Sequence, residues 1–158
     1  MSGVRIIDKA LLDLVSGQAS NSPRRRKNLN FHAGDTATAH RLLNAIEPGS
    51  YIPPHRHLDP AKDESIVILR GRLGALFFDE KGDVSATAVL EPGGAQVGID
   101  IPHGIYHTVL ALEPGTVFFE CKSGPYLPLA AEERAPWAPE EGDADAATYL
   151  AGVIRRLG

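Results

Sequence analysis

The amino-acid sequence predicts an all-β domain, an antiparallel sandwich or barrel, with a short helix near each end. Between residues 50 and 122, short apolar and β-branched runs alternate with turn sequences, at intervals of roughly eight to twelve residues. Twelve prolines and 16 glycines are spread along the chain, which favours short strands over long helices. Together these two features predict a series of strands joined by tight turns.

Length and composition indicate a single soluble domain, residues 1–158. A chain of 158 residues can bury a sizeable core without disulfides. Its net charge of −4 gives no general attraction to nucleic acid or membranes, and no apolar run approaches the roughly 20 residues that cross a bilayer. We therefore expect neither nucleic acid nor a membrane as a partner. The N-terminal segment lacks the pattern of a signal peptide and Cys121 is the single cysteine, so we expect a reducing, cytoplasmic setting.

The N-terminal part, residues 1–39, is predicted to contain a helix and a basic arm. The helix spans residues 6–16, with Asp8 as its N-cap and Gly17 at its end. Residues 17–40 are polar and irregular and include a run of four basic residues. Two interpretations stay open for this arm: a solvated extension, or a segment that folds over the mouth of the barrel and faces a substrate.

The barrel is predicted over residues 40–126. Its first strand lies in HRLLNAIEPGS, where the proline-glycine turn and the short length favour a strand over a helix. EKGD is predicted to form a hairpin turn. Residues 127–158 form a proline-rich loop and a second helix, in ADAATYLAGVIRRLG. Five further strands are predicted in ESIVILRG, RLGALFFD, VSATAVL, IYHTVLAL and VFFECK.

Two histidines one residue apart, His55 and His57, are the first candidates for metal ligands. In a strand, residues i and i+2 point to the same face, and two prolines stiffen the approach to this pair. Two imidazoles alone are weak evidence for a metal site, but Glu64 and His107 add a carboxylate and a third imidazole. Four such donors suit one divalent transition metal per chain, Zn, Fe, Mn or Ni, and leave two octahedral positions open.

The same residues resemble the motifs of the cupin superfamily. Gly49, His55, His57, Glu64 and Gly71 are similar to the first cupin motif, and PHGIYH is similar to the second. The resemblance implies a double-stranded β-helix, or jelly-roll barrel, with a metal held at its open end by the three histidines and the glutamate. It also implies a homodimer, which is common among small cupin barrels.

One departure from the cupin motif leaves the carboxylate ligand open. Six residues separate His57 from Glu64, where the motif has three or four, and the extra length contains Asp59 and Asp63. We favour Glu64 because its distance to Gly71 is the one found in the motif.

The resemblance extends beyond the motifs to a particular group of cupins. RRRKNLNFH and APWAPEEGDADAATYLA are similar to segments of the WbuC-type cupin metalloproteins, which are bacterial proteins often encoded among O-antigen (lipopolysaccharide) biosynthesis genes. This resemblance covers nearly the whole chain. It implies the fold and the metal, and it leaves the reaction open.

Other polar residues are candidates for a substrate site. Arg41 and Asn44 lie among apolar neighbours on the first predicted strand, so one of them is expected to face the interior. Glu120 and Lys122 share a strand face, either as a solvent-exposed pair or as an ion pair in the pocket. The proton-transfer candidates are Glu120, His32 and Tyr126, and the substrate-binding candidates are Arg26, Asn28, Asn30, His32, Arg41, Asn44, Glu120 and Lys122.

Three functions fit these residues. The first is a metal-dependent enzyme of the isomerase or epimerase type that acts on a small polar or anionic molecule, such as a sugar or nucleotide-sugar, with the metal as Lewis acid. The second is an Fe(II)-dependent dioxygenase. The third is a non-catalytic module in which the metal holds a sugar or stabilises the barrel. We favour the first, because an open metal site and a basic arm together suit an anionic ligand.

Overall fold

The computed structural model describes residues 3–158 and shows a mostly β protein with few short helices. Met1 and Ser2, the start of the segment inspected for a signal peptide, lie outside the described residues. Within residues 3–158, no helix has the length and apolar character needed to cross a membrane. The elements are α1 (Lys9–Ser20), β1 (Arg26–Asn30), β2 (Ala39–Ile46), β3 (Glu64–Arg70), β4 (Leu73–Phe78), β5 (Val84–Leu90), β6 (Gly98–Ile101), β7 (Tyr106–Ala111), β8 (Thr116–Ser123) and α2 (Ala146–Ile154).

The strands form two antiparallel sheets that face each other. The larger sheet has the order β1-β2-β8-β3-β6 and the smaller one the order β5-β4-β7. The predicted all-β class, with a helix near each end, is confirmed. The inner faces of both sheets supply one buried core, formed by Ile46, Ile66, Ile68, Leu73, Ala75, Leu90, Ile101, Val109, Ala111 and Phe118.

The two helices cover the outer faces of the sheets. Val15 of α1 packs with Leu43 and Val117 of the larger sheet. Leu150 of α2 packs with Leu76 of the smaller sheet. β7 is buried on both faces along its whole length, which explains why most of its residues are apolar. The polar residue His107 is an exception in this strand.

The ends of α1 agree only in part with the sequence prediction. Asp8 is the N-cap, and its side chain accepts a hydrogen bond from the Leu11 backbone N–H at 2.9 Å. The helix ends at Ser20, however, and Gly17 lies inside it. Asn21 terminates the helix, because both its backbone N–H and its side-chain amide donate to the Gly17 carbonyl, at 3.3 and 2.9 Å.

The predicted irregular segment over residues 17–40 is wrong, because β1 lies within it. β1 pairs with β2 along its full length, from Arg26 opposite Ile46 to Asn30 opposite Leu42. Backbone pairing requires no apolar side chains, and an edge strand can be polar. The basic sequence of β1 therefore lacks the apolar pattern from which a strand is predicted. The sequence analysis also missed β6, which has only four residues. The strand in HRLLNAIEPGS, the five later strands, the EKGD hairpin turn and the C-terminal helix are confirmed.

Candidate metal centre

The backbone of His55 is joined directly to that of His107 on β7. His55 lies in an isolated bridge and not in the predicted strand, yet its N–H donates to the His107 carbonyl at 3.1 Å. The His107 N–H returns a hydrogen bond to the His55 carbonyl at 2.9 Å. The two ring centroids are therefore only 4.7 Å apart, and main-chain pairing sets this spacing.

The structure brings all three predicted histidines together. One ring nitrogen from each of His55, His57 and His107 lies within 4.8 Å of the other two. Two nitrogens bound to the same metal at ~2.1 Å can be at most about 4.2 Å apart, so a small inward movement would let one ion contact all three. The His57 backbone is fixed separately, because its carbonyl accepts a hydrogen bond from the Gly104 N–H at 2.7 Å.

Backbone carbonyls orient two of the rings. The Nδ1 atom of His55 lies 3.0 Å from the Pro53 carbonyl, and that of His107 lies 2.9 Å from the Ile105 carbonyl. A carbonyl oxygen can only accept, so Nδ1 carries the proton in each ring and Nε2 is the available donor atom for a metal. Burial, together with the neighbouring His107, lowers the pKa of His55 to about 4, which keeps that ring neutral near pH 7.

Glu64 is the carboxylate that contacts the histidines. It begins β3, and its Oε2 atom lies 3.2 Å from His57 Nε2 and 3.7 Å from His107 Nε2. Burial acts to raise the pKa of Glu64, but the contacts with His107, His57 and Lys122 outweigh it and hold the pKa well below its usual range. Burial likewise acts to lower the pKa of His107, but the Glu64 carboxylate shifts it upward overall. Glu64 is therefore charged at neutral pH.

Three buried polar atoms in this cluster have no hydrogen-bond partner among residues 3–158: His57 Nε2, His107 Nε2 and Glu64 Oε2. The close contacts between them lack the alignment of hydrogen bonds. Buried polar atoms are normally satisfied, and one bound cation would satisfy this group of atoms around a single point. Two imidazole nitrogens and a carboxylate oxygen are donors that divalent transition metals bind, so the residues fit a metal.

The alternative carboxylates point elsewhere. Oδ1 of Asp63 lies 2.8 Å from both the backbone nitrogen and Nδ1 of His103, and both side chains are exposed. Oδ1 of Asp59 accepts from the Ala61 N–H at 2.9 Å in an exposed turn. The extra residues between His57 and Glu64 thus form a surface loop, and this placement supports Glu64 as the carboxylate of the cluster.

A second group of charges lies beside Glu64 on the inner face of the larger sheet. Lys122 Nζ is 2.8 Å from Glu120 Oε1 and 4.0 Å from Glu64 Oε2. Asn44 donates to Glu120 Oε2 at 2.6 Å. Burial raises the pKa of Glu120, and the charge of Glu64 raises it further. Glu120 and Lys122 therefore form an ion pair inside the barrel, and of the two residues considered on β2, Asn44 faces it while Arg41 is exposed.

The remaining candidates lie farther from the histidine cluster or at its entrance. His32 is buried and stacks on His40 with ring centroids 4.0 Å apart. Its Nδ1 lies 3.1 Å from both the N–H and the carbonyl of Arg41, and the ring tautomer decides which of the two it bonds. Asn28 and Asn30 are exposed on β1, and the Asn28 amide donates to Asn30 Oδ1 at 3.0 Å.

A cavity of about 480 Å³ connects the histidines with several cationic side chains. Its volume is within the range of small-molecule sites. The sequence analysis did not single out Arg24 or Lys62, although Arg24 lies in the basic run that supplied Arg26. The residues around this cavity include His55, His57, Arg24, Arg26, Lys62, Lys122 and the exposed Tyr126.

The proline-rich loop, residues 127–145, is bonded to the segment that carries the histidines. The Arg56 N–H donates to the Glu133 carbonyl at 2.9 Å, and the Ala135 N–H donates to the Pro54 carbonyl at 3.2 Å. The Glu133 side chain also accepts from the Leu58 N–H at 3.0 Å. This loop therefore holds the histidine segment on the side opposite its pairing with β7.

The two facing sheets and the inward histidine cluster define a cupin-type jelly-roll barrel with a candidate metal site. The chain belongs to the family described as "Domain of unknown function (DUF6016)", whose model matches residues 7–90. No curated protein gives a significant match.

Two solved structures with TM-scores above 0.5 support the barrel. KdgF from Halomonas sp. is 17% identical with a TM-score of 0.52, and the alignment covers 66% of this chain and 83% of that chain. A conserved protein of unknown function from Streptococcus pyogenes is 13% identical with a TM-score of 0.52, covering 80% and 93%. A cupin superfamily protein from Desulfitobacterium hafniense is 13% identical with a TM-score of 0.48, covering 62% and 76%. At these identities the similarity concerns the fold alone.

Proposed function

We propose that the protein binds one divalent transition metal through His55, His57, Glu64 and His107, and uses it to bind and transform a small polar molecule. The observation that carries this proposal is the group of three buried, unpartnered polar atoms on His57, Glu64 and His107. The cavity beside them has the volume of a small-molecule site and is lined by four cationic side chains. A sugar or nucleotide-sugar is the ligand class that we propose.

A bound divalent metal would supply Lewis acidity toward a carbonyl or hydroxyl oxygen. The protein's own residues would position the ligand and move its proton. Lys122 places a positive charge at the cavity, beside Glu64. Glu120 is the first candidate for proton transfer, because it is buried and its oxygens are held by Lys122 and Asn44. Tyr126, at the cavity entrance, and His32 are the alternatives.

Metal binding is the first step to test. The metal-free protein would be titrated with Zn(II), Mn(II), Ni(II) and, without oxygen, Fe(II), with bound metal measured by elemental analysis. We expect one metal per chain in the wild type and at least a tenfold loss of affinity in His57→Ala, since a first ligand is removed. His103→Ala is the matched control, because His103 is exposed and pairs with Asp63 outside the cluster. Equal metal binding by the two variants would refute the proposal.

The second candidate is an Fe(II)-dependent dioxygenase, which three imidazoles and one carboxylate also suit. Iron-dependent oxygen consumption with a bound ligand would favour this reaction over isomerisation or epimerisation. In a non-catalytic module, no product would form from any ligand that the metal-loaded protein binds. If the metal only stabilises the barrel, ligand binding would also persist in a variant that has lost the metal.

The biological setting is also proposed here. The resemblance to WbuC-type cupins supports a role in bacterial O-antigen metabolism, and the single cysteine supports a reducing cytoplasm. The same resemblance supports a homodimer. Val67 and Val97, which are 46% and 48% exposed next to the edge strand β6, offer an apolar surface for a second copy. Light scattering of the wild type and of Val67→Asp would test it, with a dimer expected only for the wild type.

A further inference from the structure

Two arginines and a glutamate form an ion-pair cluster that the proposed metal site does not use. The Glu141 carboxylate accepts from Arg24 Nε at 3.0 Å and Nη2 at 2.8 Å, and from Arg26 Nη1 at 3.0 Å and Nη2 at 2.7 Å. Each guanidinium thus holds the carboxylate with two N–H groups, which is how arginine recognises carboxylates and phosphates. The bonds from Arg24 have the largest effect, and together with those from Arg26 they lower the pKa of Glu141 to about 2. One carboxylate neutralises only one of the two cations.

Arg26 is held in place independently of Glu141. Its side chain is only 17% exposed, and Nη1 also donates to Ser50 Oγ at 3.3 Å and to the Tyr51 carbonyl at 3.2 Å. The pairing of β1 with β2 fixes its backbone. A donor that is already positioned loses little conformational entropy when a ligand binds, so Arg26 is suited to anchor an anion.

Glu141 is held less firmly than the arginine it contacts. It lies in the loop before α2, its side chain is 33% exposed, and its partner Arg24 is 64% exposed. The bond from the Glu140 N–H to Asp143 is local, whereas the Pro139 carbonyl accepts a hydrogen bond from the distant Tyr51 hydroxyl at 2.7 Å. Partly exposed ion pairs contribute modestly to stability, so the Glu141 side chain can leave the arginines at modest cost while the loop stays bonded at Pro139.

The arginines and the histidines border the same cavities. Arg24 and Arg26 line the cavity of about 480 Å³ together with His55 and His57. A second cavity of about 290 Å³ is lined by both arginines, His55 and Glu141. A molecule with an anionic group at the arginines can therefore extend through continuous space to the histidines.

We infer that Arg24 and Arg26 anchor an oxyanion group of the ligand, a phosphate or a carboxylate, and that Glu141 occupies this anchor until the ligand displaces it. The inference deepens the proposed function and rests on it for the position of the rest of the ligand, beside the metal ligands. If Glu141 were instead only a link between the loop and β1, its loss would lower stability and leave anion affinity unchanged.

The test is calorimetric titration of metal-free protein with inorganic pyrophosphate and, separately, with malonate. Glu141→Gln frees four charged N–H donors, so we expect about tenfold tighter binding of one of the two anions than in the wild type. Glu140→Gln is the matched control, since it removes the same charge one residue away, from a carboxylate that pairs with Arg134. Its affinity should stay within about twofold of the wild type.

The dependence on arginine completes the test. Adding Arg24→Gln to Glu141→Gln should abolish the gain, and Arg24→Gln alone, at a largely exposed side chain, should weaken wild-type binding. Tighter pyrophosphate binding would identify a phosphate anchor, and tighter malonate binding a carboxylate anchor. The inference is overturned if Glu141→Gln binds neither anion more tightly than Glu140→Gln does, or if Arg24→Gln leaves the gain intact. Because no metal is present, these outcomes are separate from a failure of metal binding.

Discussion

The charge of Lys122 balances two buried carboxylates, and Lys122→Met removes that charge while keeping a side chain of similar length. Lys122 Nζ lies 2.8 Å from Glu120 Oε1 and 4.0 Å from Glu64 Oε2. At an effective dielectric constant of about 20, these contacts correspond to about 6 and about 4 kcal/mol of attraction, before the desolvation of the ammonium group is subtracted. Because both carboxylates are buried, we expect a net loss of about 3–5 kcal/mol in the free energy of unfolding.

Urea unfolding of the metal-free variants would measure this loss. Lys62→Met is a matched control, because Lys62 borders the same cavity but its ammonium donates to the Pro125 carbonyl. We expect the control to change stability by less than about 1 kcal/mol. Adding Glu120→Gln to Lys122→Met should restore at least about 1.5 kcal/mol, since one uncompensated charge is removed. The reasoning is refuted if Lys122→Met is as stable as Lys62→Met, or if the effects of the two substitutions simply add.

Three further predictions concern the backbone, pH and metal. Gly71→Ala should lower the free energy of unfolding, measured in urea, by about 2 kcal/mol or more, because φ is +78° and the new Cβ would collide with Thr116. The control Gly93→Ala, with φ of +73° in open space, should lower it by less. Arg24 and Arg26 lower the pKa of Glu141 to about 2. Above pH 4.5 the ion pairs should therefore add about 1 kcal/mol to the free energy of unfolding, after allowance for solvent screening. The stability difference between wild type and Glu141→Gln should therefore shrink as the pH falls from 5 toward 2, and a constant difference would contradict this. A divalent metal at 1,000 times its Kd should add about 4 kcal/mol to the free energy of unfolding and raise the Tm by about 8–16 °C, and a chelator should reverse both changes. An unchanged Tm would count against metal binding to the folded state.

The sequence predicted β4 and β7 well because their side chains are buried on both faces. β4 and β7 are apolar runs bounded by turns, and burial on both faces accounts for that composition. β1 and β6 lie at the two edges of the larger sheet. At an edge, backbone hydrogen bonds define a strand while few of its side chains are buried, so polar β1 and four-residue β6 lack the pattern on which the prediction depends.

The spacing of the candidate metal ligands predicted that their side chains would converge, although the strand predicted for His55 and His57 is not present. His55 and His57 are not on a regular strand, yet their rings converge with that of His107 because of the bridge to β7. The placement of Glu64, in contrast, follows from β3 and its alternation with Ile66. The cluster of Arg24, Arg26 and Glu141 could not be predicted from spacing, because more than 110 residues separate Glu141 from the two arginines and only the folded loop brings them together.

The hydrogen bonds between the proline-rich loop and residues 54–58 connect the histidines to a distant part of the chain. Opening of the loop would break the bonds from Arg56 to Glu133 and from Ala135 to Pro54, and would leave His55 paired with β7 alone. Any ion that binds the histidines in their assembled arrangement must therefore also favour the closed loop, by thermodynamic linkage. Amide hydrogen exchange and proteolytic cleavage within residues 127–145 would then report occupancy of a site located some 70 residues earlier in the sequence.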